Sequence, residues 1–420
     1  MKTTPKIKIP DSLDITTAEE LQLNNGMKLY MLRANEFEVT RLSLVFHAGS
    51  ITQSAPFVAG ATANLLAEGS ATMSGREIAE QLDFYGSYFE VNLDRDFAYI
   101  SFCSLKRHFK RTLEMAEEIL LRPIFPESEV ETYRTKRRQQ LAIERQKIDV
   151  VAREAFAESM FGKEHPYGIS YPEEAYDHLS REQILEHYKN FYTARNAIAV
   201  CSGYISEEEI QLIKKLCEQL PEGRAATIEM PAPKMRSRHF IKRDGAVQSS
   251  IRIGKRLFTR NHPDFVCMQV VSTLLGGYFG ARLMHNLREV HGYTYGVISS
   301  MVNFQHEGYF AIATQVGREV TTEALNEIFY EIKRLREELV SEQELMLAKN
   351  IMTGEMMRIL DGPFGIADVK IEQILSSEDD QATNRQLQEI KSTTPEQILE
   401  LAKRYLDPEE MVTVVVGCSD

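Results

Sequence analysis

The chain has 420 residues, more than one hydrophobic core usually supports, so two or more domains are expected. Its 43% hydrophobic and 26% charged content is that of an ordinary globular protein. The balance of 49 Lys+Arg against 61 Asp+Glu gives a net charge of −12, which argues against a phosphate-binding surface and against nucleic acid as a ligand.

Alternating apolar and polar residues flank Asn25-Gly26 and predict a hairpin that feeds a strand at Leu42-Ser43-Leu44-Val45-Phe46. A helix is expected from Val58 to Leu66, ending at Gly69, and a second one capped by Ser74 and running through Leu82 and Tyr85. Strands follow around Tyr88–Leu93 and Phe97–Cys103, then long amphipathic helices over roughly 107–121 and 127–161. Ser180 and Gln183 form a capping-box pair that opens the next helix, and the strand Ala197-Ile198-Ala199-Val200 ends at Gly203.

The pattern then recurs. Glu182-Gln-Ile-Leu-Glu reappears at Glu396 behind Thr394, and the strand Val412 to Val416 ends at Gly417; both Glu182/Glu396 and Gly203/Gly417 stand 214 residues apart. Earlier in each half, Leu44-Val45-Phe46 falls opposite Arg252-Ile253-Gly254, and Gly69 opposite Gly277 at an offset of 208. Two copies of one α+β unit account for this, with a small insertion between the offsets. The Pro-rich stretch around Pro221, Pro231 and Pro233 reads as the linker between them.

The second copy holds the most informative stretch, Leu274 to Val297. An apolar helix is expected to end at Gly276-Gly277, where positive φ and close backbone approach cost little. A second helix carries Leu283, Leu287 and Val290 on one side, Gly292 breaks it, and Tyr-Thr-Tyr-Gly-Val enters a strand. Arg288 then sits near the end of a helix and Tyr295 at the mouth of a strand, where both could face one cleft.

The five cysteines, Cys103, Cys201, Cys217, Cys267 and Cys418, are scattered without a C-x-x-C pair and read as reduced core residues. Met-Lys-Thr-Thr-Pro-Lys-Ile-Lys has no apolar core of signal-peptide type, and no run approaches the ~18 apolar residues of a membrane span, so a cytoplasmic location is expected.

The frame of Gly276, Gly277, Arg282, Arg288, Gly292 and Tyr295, with His165-Pro-Tyr-Gly168, Phe191-Tyr-Thr-Ala-Arg-Asn196 and Gly245-Ala-Val-Gln248-Ser, resembles the M16 (pitrilysin-type, insulinase-like) zinc metallopeptidases, as an M16B-like member. The resemblance covers nearly the whole chain. It implies an α+β fold of two tandem homologous M16-type (LuxS/metallohydrolase-like) domains, 1–220 and 237–420 joined by a linker at 221–236, forming half of a clamshell.

Zinc-bearing members carry an inverted H-x-x-E-H on the first long helix. The corresponding positions here are Gly60, Ala63 and Asn64, and the third ligand falls near Gln140 or Leu141 rather than Glu144. These side chains offer no zinc ligand set, so no metal and no cofactor are expected in this chain, and zinc is expected in a partner. A metal site displaced to His285, Glu289 and His291 is disfavoured, because that spacing does not put both imidazoles on one helical face.

The family's other contribution is an Arg and a Tyr seven residues apart, which reach a partner's zinc site; they match Arg288 and Tyr295. A guanidinium can fork onto a substrate carbonyl or carboxylate, and a phenol can donate to a developing oxyanion. The first copy has Glu80 and Ser87 there, so the pair is no generic feature of the repeat.

The resemblance therefore implies a non-catalytic subunit of a two-chain M16 peptidase, inactive alone, that pairs with a homologous zinc-bearing subunit to cleave unfolded peptides. A scaffold or peptide-binding pseudopeptidase is the alternative, and pairing with a second copy of itself stays open. Arg282 is expected to pair with a carboxylate, Tyr293 to line core or cleft, and His47 and His165 to be structural. Asp361-Gly362-Pro363-Phe364-Gly365 is expected to break a long helix and could seat against the other half.

Overall fold

The computed structural model describes residues 10–234 and 238–417. The N-terminal stretch read for a signal peptide, linker residues 235 and 236, and Cys418 lie outside it. Strands β1 (Glu19–Gln22) and β2 (Lys28–Arg33) form the hairpin that Asn25-Gly26 predicts, with Leu21 opposite Leu29. With β3 (Val39–Phe46), β4 (Tyr88–Leu93), β5 (Ala98–Leu105) and β6 (Ala197–Gly203) they make a six-stranded sheet of order β1-β2-β6-β3-β5-β4. The second half supplies β7 (Arg238–Lys242), β8 (Gln248–Leu257), β9 (Val297–Asn303), β10 (Gly308–Gly317) and β11 (Val412–Gly417), in a five-stranded sheet of order β7-β11-β8-β10-β9.

Each sheet is mixed through one parallel pair, β2 beside β6 and β7 beside β11. Without β1 the two orders correspond strand for strand, so the repeat read from the 214-residue offset is a repeat of topology.

The first half carries helices α1 (Val58–Asn64), α2 (Gly75–Phe84), α3 (Lys106–Leu121), α4 (Glu127–Glu144), α5 (Ile148–Phe161), α6 (Arg181–Phe191) and α7 (Glu207–Glu218). The second carries α8 (Phe265–Gly276), α9 (Thr321–Glu337), α10 (Glu342–Ile359), α11 (Pro363–Leu375), α12 (Ala382–Ser392) and α13 (Pro395–Tyr405). The capping boxes read at Ser180/Gln183 and Thr394/Gln397 open α6 and α13, and a third, Ser74/Glu77, opens α2. Residues 221–234 hold neither helix nor strand, as their proline content leads one to expect.

Both faces of each sheet are buried, which is why the central strands read as nearly continuous apolar runs. On one face of the first sheet Leu29, Leu42, Leu44, Phe46, Ile100 and Phe102 pack under helices of the same half. On its other face Tyr30, Leu32, Val45 and Val200 pack against Ala367, Ile371 and Leu375 of α11, a helix of the second half. The second sheet mirrors this: Val412, Val414 and Val416 pack against Ala152, Phe156 and Met160 of α5, from the first half. Each half thus lends one helix to the other's sheet, and neither half closes its core alone.

The structure corrects three expectations. The helix expected over 127–161 is two, because α4 packs in the first half and α5 must turn to reach the second sheet; Arg145 fixes the corner by bonding Glu154, Glu173 and the Tyr171 carbonyl. Gly276 and Gly277 do not adopt positive φ; close approach alone demands them, since a Cβ on Gly276 would stand 2.8 Å from Ser299 N and one on Gly277 2.6 Å from Thr273 Cα. The next helix is a π-helix over Met284–Val290, so Leu283 and Leu287 are buried but Val290 is 61% exposed. An i→i+5 turn takes more residues per revolution, and a residue seven positions on no longer returns to the same face.

Candidate functional site

Between the two sheets lies a cavity of about 510 Å³. Gly60, where the sequence comparison places the first lost ligand, lines it, with Leu141 at the third-ligand position. Ala63 is fully buried in α1 and Asn64 donates to the Gly60 carbonyl at 2.7 Å. Gln140 donates to Glu144 and accepts from Arg137 instead of facing a ligand.

The space is taken by a tyrosine: a Cβ on Gly60 would meet the Tyr133 hydroxyl at 3.6 Å, and the Arg137 guanidinium sits 5.7 Å from the Tyr133 ring. Burial raises the Tyr133 pKa, and facing Arg137 and Asn64 pull against it. Above, Phe57 stacks on Tyr176 at 3.8 Å; the buried Tyr176 phenol is pushed up to about 12. Glycine, alanine, an amide and leucine around an arginine-backed phenol do not fit a divalent cation, which needs imidazole, thiolate or carboxylate ligands. Among the described residues no three His, Cys, Asp or Glu side chains gather as a metal site would require.

Neither Arg288 nor Tyr295 lines this cavity. Arg288, in the π-helix, lies 4.6 Å over the ring of Phe279, itself 62% exposed. Tyr295, in the segment between the π-helix and β9, is 90% exposed. Thr294 beside it is anchored, its hydroxyl donating to the Gln315 carbonyl at 2.7 Å. The pair therefore stands outside the cavity, with Tyr295 on the surface and Arg288 half-buried against Phe279. The strand that Tyr295 precedes turns Ile298, Ser300 and Val302 towards the cavity.

The remaining sequence-read residues are structural. Arg282 forks onto Glu344 at 2.6 and 3.0 Å. Tyr293 stacks on His291, while His285 pairs with Glu289 and His291 with Glu327, so the two histidines do not converge. His47 packs edge-on against Phe97, and burial lowers its pKa. Phe364 of the Asp361–Gly365 break does seat against the first sheet: Arg41 lies over its ring at 5.0 Å and donates to its carbonyl at 2.8 Å.

Two features escaped the sequence reading. One is an inter-half latch in which the Tyr167 hydroxyl donates to Asp96 at 2.5 Å, Gln305 N donates to the other Asp96 oxygen at 3.0 Å, and Phe304 stacks on Tyr167 at 4.3 Å. The other is a set of arginines, Arg95, Arg153 and Arg252, that meet in the cavity. They come from a turn, a helix and a strand far apart in the chain, and no spacing signals them.

Comparison with known proteins adds the family context. The profile described as "Insulinase (Peptidase family M16)" matches residues 31–173, and that described as "Peptidase M16 inactive domain" matches residues 178–352. The chain is 20% identical over 299 residues to "Uncharacterized zinc protease YmxG" of Bacillus subtilis, covering 70% of this chain and 72% of that protein. It is 20% identical over 200 residues to "Probable inactive metalloprotease YmfF" of the same organism, covering 47% and 46%. The crystal structure of a peptidase M16 inactive domain from Pseudomonas fluorescens has the same fold, with TM-score 0.88, 24% identity, and coverage of 96% of this chain and 98% of that one.

Proposed function

Because the chain belongs to peptidase family M16, we propose that it is the zinc-less subunit of a two-chain metallopeptidase, lending Arg288 and Tyr295 to the active site of a homologous, zinc-bearing partner. The observation that carries this reading is the separation of the two half-sites. The ligand positions Gly60, Ala63 and Asn64 offer no imidazole or carboxylate for zinc, while Arg288 and the 90% exposed Tyr295 stand outside the cavity.

In the assembled pair Arg288 would orient the substrate backbone and Tyr295 would donate a hydrogen bond to the oxyanion that forms at the scissile carbonyl. The substrate would be an unfolded peptide and the setting the cytoplasm. The units 1–220 and 237–420 would move as one body, since α5 and α11 are exchanged between them.

The test is zinc content and cleavage of an unstructured peptide, by the chain alone and after co-expression with an H-x-x-E-H homologue. Neither metal nor cleavage alone, and both in the co-purified pair, is the expected result. Arg288→Ala with Tyr295→Phe should then slow cleavage by roughly 10²–10³ or more without loss of association. Unchanged cleavage would sink the assignment and leave a scaffold or peptide-binding role.

A further inference from the structure

The cavity between the sheets carries a charge arrangement that the proposed partner role does not use. Arg95 comes from the β4–β5 turn, Arg153 from α5 and Arg252 from β8, and all three line the same space. Their charges act together on the Tyr309 hydroxyl, and the charge of Arg153 falls unfavourably on both Arg95 and Arg252. Burial pushes both of those guanidiniums below their ordinary range, and the buried Arg252 Nε has no hydrogen-bond partner. Among the described residues none of the three forms an ion pair.

The nearby acids are engaged or remote. Glu154 is held by Arg145. Asp96, which favours the charge of Arg95, is committed to Tyr167 and to Gln305 N. Asp149 favours the charge of Arg252 without bonding to it.

An arginine cannot escape this position by losing its proton, as a lysine can. Like charges gathered without counter-ions in a partly desolvated space raise the free energy of the protein, and an oxyanion entering among them lowers it through forked, charge-assisted bonds. In a chain of net charge −12 the cluster is the reverse of the average surface.

We propose that this cavity binds the C-terminal carboxylate of a peptide, with Arg95, Arg153 and Arg252 as its receptor. The choice of a peptide rests on the surrounding walls, where Phe57, Leu93, Ile298 and Val302 offer apolar surface beside the cations. That combination suits an apolar body ending in one anionic group better than a fully hydrated ion. The site belongs to this chain alone and needs no partner.

Calorimetric titration of the isolated chain tests it, so its outcome is separate from any cleavage assay. The probes are a short unstructured peptide of Ala, Ser and Phe with a free C-terminus, its C-terminal amide, and inorganic phosphate. The free acid should bind about tenfold or more tightly than the amide, with an affinity that falls as salt is raised. Equal binding of acid and amide would overturn the proposal, and phosphate displacing the peptide at equal concentration would overturn the peptide as the source of the anion.

Arg153 is exposed, so Arg153→Gln should fold and lose the same factor. Arg252→Gln should raise the melting temperature of the free chain, by removing a half-buried cation that has no ion-pair partner among the described residues, and abolish the shift that the peptide produces. A lower melting temperature with the peptide shift intact would make Arg252 structural and refute its role.

Discussion

Apart from β1 the two sheets share one strand order and one device, a borrowed helix, yet the cavities beside those helices differ in charge. Over the second sheet α5 contributes Arg153 to a cavity that also holds Arg95 and Arg252. Over the first sheet α11 contributes Asp368 and Glu372 to a cavity of about 450 Å³ whose one arginine, Arg260, pairs with Glu372 and Glu378. The acidic cavity can relieve its charge, since burial raises the pKa of Glu372 and Arg260 faces it. The basic one cannot, because guanidinium stays protonated. Duplication preserved the fold, and the side chains lining the two cavities made the halves chemically unlike.

The exchange itself can be broken most severely. Phe156→Ala on α5 should cost about 3–5 kcal/mol and Ile371→Ala on α11 about 2–5 kcal/mol. Hydrogen exchange should show Phe156→Ala loosening β8 and β11, and Ile371→Ala loosening β2 and β6. Loss of protection confined to each helix's own half would show that the cores are not shared.

Acid distinguishes the halves next. His187, buried in α6, has its pKa pushed down to about 4 by burial, whereas the corresponding position of α13 is Leu401. The folded form resists the proton that the unfolded chain accepts below about pH 6.5. His187's contribution is therefore complete above that pH and is lost as pH falls towards 4, by up to about 3 kcal/mol. His187→Gln should flatten the decline in denaturation midpoint over that range, and an unchanged slope would place the acid sensitivity elsewhere.

The latch joins what the exchange braids. Tyr167→Phe leaves the buried Asp96 carboxyl with only the Gln305 amide and should cost about 1–3 kcal/mol in a urea titration. The smallest expected effects test the repeat: Ser180→Ala and Thr394→Ala remove equivalent caps, and each should cost about 1 kcal/mol. Unequal costs would show that the α6 and α13 caps are not energetically equivalent.

Much of the fold could be read in advance because local rules wrote it. The Asn25-Gly26 hairpin, the capping boxes at Ser180 and Thr394, and the strands closed by Gly203 and Gly417 each depend on a few neighbouring residues. The split between α4 and α5 was hidden, since the periodicity of 127–161 looks continuous and only the need to reach another sheet turns the chain at Arg145. Val290 misled for a related reason: a π-turn changes which residues share a face, and its cause is packing rather than propensity. Of the candidate site, the missing donors at Gly60, Ala63 and Asn64 and the presence of Arg288 and Tyr295 were legible as residue identities.

The sequence by itself determined the duplicated α+β unit and the absence of zinc ligands at the family's positions, because both are properties of residues at fixed spacing. Only the tertiary structure decided that α5 and α11 change sides, that the phenol of Tyr133 stands close to Gly60, and that Arg95, Arg153 and Arg252 share one cavity. Those contacts join residues tens to hundreds of positions apart, and burial, which sets their charge and partners, exists only once the chain has closed upon itself.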